Sequence, residues 1–258
     1  MATRRLLKLV TFDPTGTLFR PAMDVGVAYL AVVAKHQQRL GGPPLPSAYE
    51  VSKAFHDSYR LQLLKHPCFG YDDNVPNRDW WEATVRSTFL HTGMLPYFWD
   101  SFDEIYGEAF DGSRDGEEGG FWTRTTGAVE CLASLAGRGA TIGVISNSDA
   151  RYHDILHNLG LRTHLNFVHV SGETGWAKPD PMAFGEALLE AGRLRGEEVA
   201  AEHAIHVGVS ATNDVLGALD AGWSAVYCGD ACMEIDGVLS VPRDRIATLG
   251  DVLSRRLR

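Results

Sequence analysis

The chain is poor in cysteine, in net positive charge and in long apolar runs, and each shortage excludes something. Its four cysteines, Cys68, Cys131, Cys228 and Cys232, are scattered, and no Asn-x-Ser/Thr glycosylation acceptor occurs. That pattern fits a reducing interior without structural disulfides. Cys228 and Cys232 are too few for a zinc site and read as buried thiols. A net charge of -9 argues against broad nucleic-acid binding, which needs a basic face. The basic tail R-R-L-R at 255–258 reads as a solvated helix end. No apolar run approaches the roughly 20 residues of a membrane span. The start, M-A-T-R-R-L-L-K-L-V, is basic and free of acids, as targeting peptides are. However, Leu6–Phe12 already reads as a strand, so no cleavable segment is expected. The expectation is an intracellular protein, of cytoplasm or mitochondrion.

What is present is ordinary for a folded domain: 45% apolar and 22% charged residues. In the second half, short β-branched runs at 140–146, 165–170, 203–208 and 224–228 alternate with helix-like segments. Those segments cover 127–137, 149–159, 180–194 and 212–221, several ending at a glycine (Gly139, Gly160, Gly222) as helix C-termini often do. Repeated strand–helix alternation implies an α/β fold, a doubly wound parallel sheet with helices on both faces. With Leu6–Phe12 the sheet has at least five strands.

Residues 20–110 show helical periodicity and few strand signals, broken by G-G-P-P-L-P at 41–46 and by the stretch from Pro67 to Pro76. They predict an all-helical insert, a cap, between the first strand and the rest of the core. The core then comprises 1–19 and 121–258, and D-G-S-R-D-G-E-E-G-G at 111–120 reads as an acidic, solvated hinge.

In an open parallel sheet, ligands sit beyond the carboxyl ends of the strands, near the point where strand order reverses. The residues just past each strand therefore decide function. They are Asp13 in V-T-F-D-P-T-G-T-L, Ser146 and Asn147 in V-I-S-N-S-D, and Gly208 to Asp214 in H-V-G-V-S-A-T-N-D. Lys178 lies in A-K-P-D-P-M-A-F. In this order, on these strand ends and with a helical insert after the first, the four blocks resemble the haloacid dehalogenase (HAD) superfamily, its phosphatase-like branch. The resemblance spans nearly the whole chain and implies a Rossmann-like core. It implies Asp13 as the nucleophile forming an aspartyl-phosphate. Ser146, with the amide of Asn147, would hold a phosphoryl oxygen. Lys178 would neutralise charge and orient Asp13, and Asp13 and Asp214 would hold magnesium.

Two positions depart from that pattern. Thr15 stands where the phosphatase branch places a general acid, and Thr does not titrate near neutrality. Val209 stands where the fourth motif usually supplies an acid to magnesium, and an isopropyl group offers no oxygen. Three functions compete. The foremost is a HAD-fold protein with hydrolysis lost or severely impaired, a binding or scaffold module with a protein partner or in a larger assembly. The second is a magnesium-dependent phosphatase of a small phosphorylated metabolite. The third is metal-free 2-haloacid dehalogenation by Asp13, with Arg20 as carboxylate clamp. Among nearby groups, Asp149 reads as a helix N-terminal acid and His153 with His157 as a polar helix face. Trp80, Trp81, Phe98, Trp99 and Phe102 read as cap packing.

Overall fold

The computed structural model describes residues 7–40, 42–108, 112–113, 120–229, 238–241, 246 and 249. Residues 1–6, most of the 111–120 hinge, Cys232 and the 255–258 tail lie outside them. Nine strands occur among the described residues: β1 Leu9–Phe12, β2 Phe19–Pro21, β3 Gly112–Ser113, β4 Trp122–Arg124, β5 Thr141–Ser146, β6 Phe167–Val170, β7 Ala204–Gly208, β8 Ser224–Tyr227 and β9 Leu239–Ser240. Six of them form one parallel sheet in the order β6-β5-β1-β7-β8-β9. This is the doubly wound α/β sheet that the alternation predicts.

Two-residue alternation sorts each strand between the two faces. Val10 and Phe12 of β1 join Ile205 and Val207 of β7 on one face, under the helices Ala128–Ala136 and Arg151–Asn158. Leu9 and Ala204 join the opposite face, under the helix Pro181–Arg195. That helix starts on Asp180, whose carboxylate accepts from the Met182 amide, and it stops at left-handed Gly196. Full burial of side chains such as Phe12 and Leu132 stabilises by about 1.5–3 kcal/mol each.

The insert is helical: Val25–Leu40, Ala48–Lys65, Asn77–His91 and Phe98–Glu108 pack around Val32, Val51, Phe89 and Phe98. Ser47 and Glu50 form a capping box that opens the second of these helices. Trp80, Phe98 and Phe102 are buried as expected, but Trp99 is 70% exposed. It lies on the outward side of its helix, with the Arg86 guanidinium 6.0 Å from its ring centre. The boundaries of the insert also differ from the sequence expectation. The chain leaves the core as a strand, because β2 pairs antiparallel with β4, Phe19 opposite Arg124 and Pro21 opposite Trp122. Strand β3 adds to β4 in parallel. A three-residue strand containing Arg and Pro carries no alternation to reveal it.

Candidate active site

Strand β1 is central, with β5 on one side and β7 on the other, so the order reverses at its carboxyl end. Asp13 follows it directly, and the Asp13 amide donates to Val207 O at 2.8 Å. The turn beyond is closed by Leu18 N to Pro14 O at 2.8 Å and by left-handed Gly16. Ser146 ends β5 and Gly208 ends β7, so three strand ends meet around the Asp13 carboxylate.

Lys178 reaches this point from its loop. Asn147 holds the loop with its whole amide: Nδ2 donates to Lys178 O and Oδ1 accepts from Lys178 N, both at 2.7 Å. The Lys178 ammonium is 2.8 Å from Asp13 Oδ1 and 2.7 Å from Asp214 Oδ1. Burial alone would lower the lysine's affinity for its proton, but the two carboxylates more than offset that and raise it. Asp214 is aimed at the site by a π-helical turn, Ala211–Leu216, whose first residue follows the N-cap Ser210. Its second oxygen accepts from Ser210 N at 2.8 Å. Gly208 is required for this approach, since a β-carbon there would lie 2.3 Å from Asp214 Oδ2.

Two buried polar groups inside the strands complete the cluster. His206 Nδ1 is 2.8 Å from Thr11 Oγ1, and its Nε2 is 3.2 Å from Asp214 Oδ1. A neutral imidazole with the proton on Nε2 satisfies both bonds. Burial, and then the Lys178 charge, hold His206 down to about 4, so it stays neutral at pH 7. Asp214 remains ionised: burial opposes its charge, yet Lys178 and His206 lower its pKa overall. Asp13 goes the other way, raised to about 6, chiefly by burial and further by Asp214, against the pull of Lys178.

These commitments bear on magnesium. Both oxygens of Asp214 are taken by Lys178, His206 and Ser210 N, and Asp13 keeps only Oδ2 outside its bond to Lys178. Val209 adds no donor. Asp13 Oδ2 is thus the one oxygen of these two carboxylates without a protein hydrogen bond.

Thr15 Oγ1 meets the Tyr152 hydroxyl at 2.7 Å. Tyr152 also faces a cavity of about 430 Å³ between cap and core. None of Asp13, Ser146, Asn147, Lys178 and Asp214 lines that cavity; Ser148, Asp149, Arg151 and Tyr152 do. Asp149 stands just ahead of its helix, accepting from Arg151 N at 2.9 Å, and it also pairs with the Arg151 side chain at 3.0 Å and accepts from Trp81 Nε1 of the cap at 2.7 Å. The Arg151 guanidinium lies 4.0 Å from the Trp81 ring centre. Trp81 is therefore a wall of the cavity and a bridge from cap to core, whereas its neighbour Trp80 is packing. Arg20 is exposed on β2 and is not part of the cavity wall. His153 pairs with Glu173 at 2.9 Å, and His157 is exposed.

A family model described as haloacid dehalogenase-like hydrolase matches residues 7–222. The chain is 33% identical over 247 residues to haloacid dehalogenase-like hydrolase domain-containing protein 3 of Homo sapiens, covering 95% of this chain and 92% of that one. It is 32% identical over 222 residues to the Bos taurus protein of the same name, covering 86% and 82%. Among solved structures, a 2-haloacid dehalogenase from Pseudomonas syringae pv. Tomato DC3000 superposes with TM-score 0.64 at 24% identity, covering 97% of this chain and 100% of that one. A HAD phosphatase from Thermococcus onnurineus superposes with TM-score 0.61 at 19% identity, covering 95% and 97%. These two likenesses establish the fold. With the family match spanning most of its length, the chain belongs to the haloacid dehalogenase-like hydrolases.

Proposed function

We propose that this chain is a hydrolase-fold protein whose magnesium-dependent hydrolysis is lost or severely reduced, and that it works by binding a small molecule between cap and core. The observation that carries this reading is Thr15 Oγ1 bonded to the Tyr152 hydroxyl at 2.7 Å where a general acid would stand, together with Val209, which brings no oxygen to the end of β7. One ammonium against the two carboxylates leaves the pair with a formal charge of -1.

Magnitudes support the same reading. Without a titratable group at Thr15, general acid–base help worth about 10²–10⁴-fold is missing. Without a metal on the developing charge, several kcal/mol of transition-state stabilisation are missing too, roughly a few hundredfold or more in rate. The cavity adds a third support: it is of ligand size, yet its wall does not include the nucleophile position.

The test is hydrolysis of 4-nitrophenyl phosphate with magnesium by the wild type, by Asp13→Asn, and by Thr15→Asp with Val209→Asp. We expect the wild type to match Asp13→Asn, and the double variant to gain activity that a further Asp13→Asn removes. Robust wild-type turnover abolished by Asp13→Asn would overturn the proposal. Chloride release from 2-chloropropionate without metal, dependent on Asp13, would overturn it in favour of substitution chemistry.

A further inference from the structure

The cavity wall states what kind of molecule it suits. Nine aromatic side chains contribute to it, among them Tyr29, Tyr59, Trp81 and Tyr106. Its charged groups are already engaged. Arg151, the one Arg or Lys among the lining residues, lies against Asp149 through Nε at 3.0 Å and Nη2 at 3.1 Å, and its flat face covers Trp81. Asp24 accepts from the Ser52 hydroxyl and, at 2.9 Å, from Gly26 N. Two carboxylates against one guanidinium leave the wall formally negative, which disfavours a phosphate or carboxylate ligand.

Two further observations point to a ligand. Ser148 lines the cavity at 3% exposure, and its hydroxyl has no hydrogen-bond partner. Buried polar groups are nearly always satisfied, so an unpartnered hydroxyl on a residue of the cavity wall marks a bond for a ligand to complete. On the cap side, Cys68 and Phe69 are consecutive non-glycine residues with φ of 47° and 56°. This left-handed pair carries the Phe69 ring to the cavity wall, 4.8 Å from the Trp80 ring and 6.3 Å from that of Trp81. Strain of this kind clusters at ligand clamps.

From these residues we infer that the cavity takes an uncharged, planar aromatic molecule whose single hydrogen-bonding group meets Ser148. The inference deepens the binding-module reading and rests on it. Ring stacking on the aromatic wall supplies affinity, and the Ser148 hydroxyl fixes orientation.

The test uses the full chain without metal and three probes of one skeleton: 2-naphthol, 2-naphthyl phosphate and decahydro-2-naphthol, titrated by calorimetry. We expect 2-naphthol to saturate at one equivalent and to bind at least tenfold more tightly than the other two. Ser148→Ala should weaken it about fivefold to tenfold, the effect of one hydrogen bond, without lowering the melting temperature. Tyr59→Leu should weaken it at least fivefold, while Tyr59→Phe stays within twofold of wild type. Failure of 2-naphthol to bind, equal or tighter binding of the phosphate or the saturated alcohol, or indifference to both Ser148→Ala and Tyr59→Leu overturns the inference. The hydrolysis series is a separate readout, so these results can fail while the loss of turnover stands.

Discussion

The hydroxyl of Tyr152 meets Oγ1 of Thr15 at 2.7 Å, joining the turn after the first strand to a helix 137 residues later in the chain. The position where relatives in the phosphatase branch keep a proton donor is thus occupied by a neutral pair. Both partners can be truncated, Thr15→Val and Tyr152→Phe, and the cycle of single and double variants isolates their coupling. We expect about 0.5–1.5 kcal/mol of coupling in urea denaturation, the net worth of a hydrogen bond. Additive effects would show that the two groups merely adjoin.

Lys178 is the cation on which one buried and one partly buried carboxylate depend. Replacing it by Met, of similar length, leaves both without their counter-charge. We expect a loss of about 3–5 kcal/mol, as when one partner of a buried ion pair is removed. The check is the shift in denaturation midpoint at pH 7. A loss below 1 kcal/mol would contradict the arrangement.

Asp13 makes stability depend on pH in a definite direction. Its pKa is raised in the fold to about 6 from 3.8, so the native state holds this proton more tightly than the unfolded chain does. Its contribution is complete below the unfolded value and is lost as pH rises through about 6. Asp13→Asn should therefore stabilise the protein at pH 8, on the order of 2–3 kcal/mol. The gain should shrink between pH 6 and 4 and vanish below. A gain that grows on acidification would reverse the assignment.

Gly208→Ala should displace the Asp214 carboxylate, because the new methyl would stand 2.3 Å from Oδ2. Asp214 then loses its bond to Ser210 N and its register with Lys178. We expect about 2–4 kcal/mol of destabilisation, in the range for overpacking plus a broken buried polar network. Near-wild-type melting would mean that β7 shifts at little cost.

Much of this was legible because motif residues sit at strand ends, where short apolar runs stop and turn chemistry begins. Asp13, Ser146 and Asn147 follow or close two such strands, while Lys178 comes from a loop and Asp214 from the turn after a third. Thr11 and His206 were not singled out, since a polar residue inside L-V-T-F or A-I-H-V-G reads as one side of a strand. Their signal was that both runs are buried along their whole length, so each polar side chain needed a partner in the neighbouring strand. The cavity was beyond reach for another reason. Trp81 bonds to Asp149 across 68 residues, and no local pattern pairs a cap helix with a core loop. The sequence placed Trp81 correctly on a helix but could not say which side faced the gap. The separation of the cavity from the nucleophile likewise arises only from the docking of the cap.

The ribbon of β2 against β4 has a mechanical meaning. Both crossings between core and insert run side by side there, with Phe19, Arg20 and Pro21 opposite Arg124, Thr123 and Trp122. Two tethers fastened to each other make one joint, so a load on either crossing is shared by both. Away from that joint, the tip of Trp81 is hooked by Asp149. That bond ties the two walls of the gap together across the join.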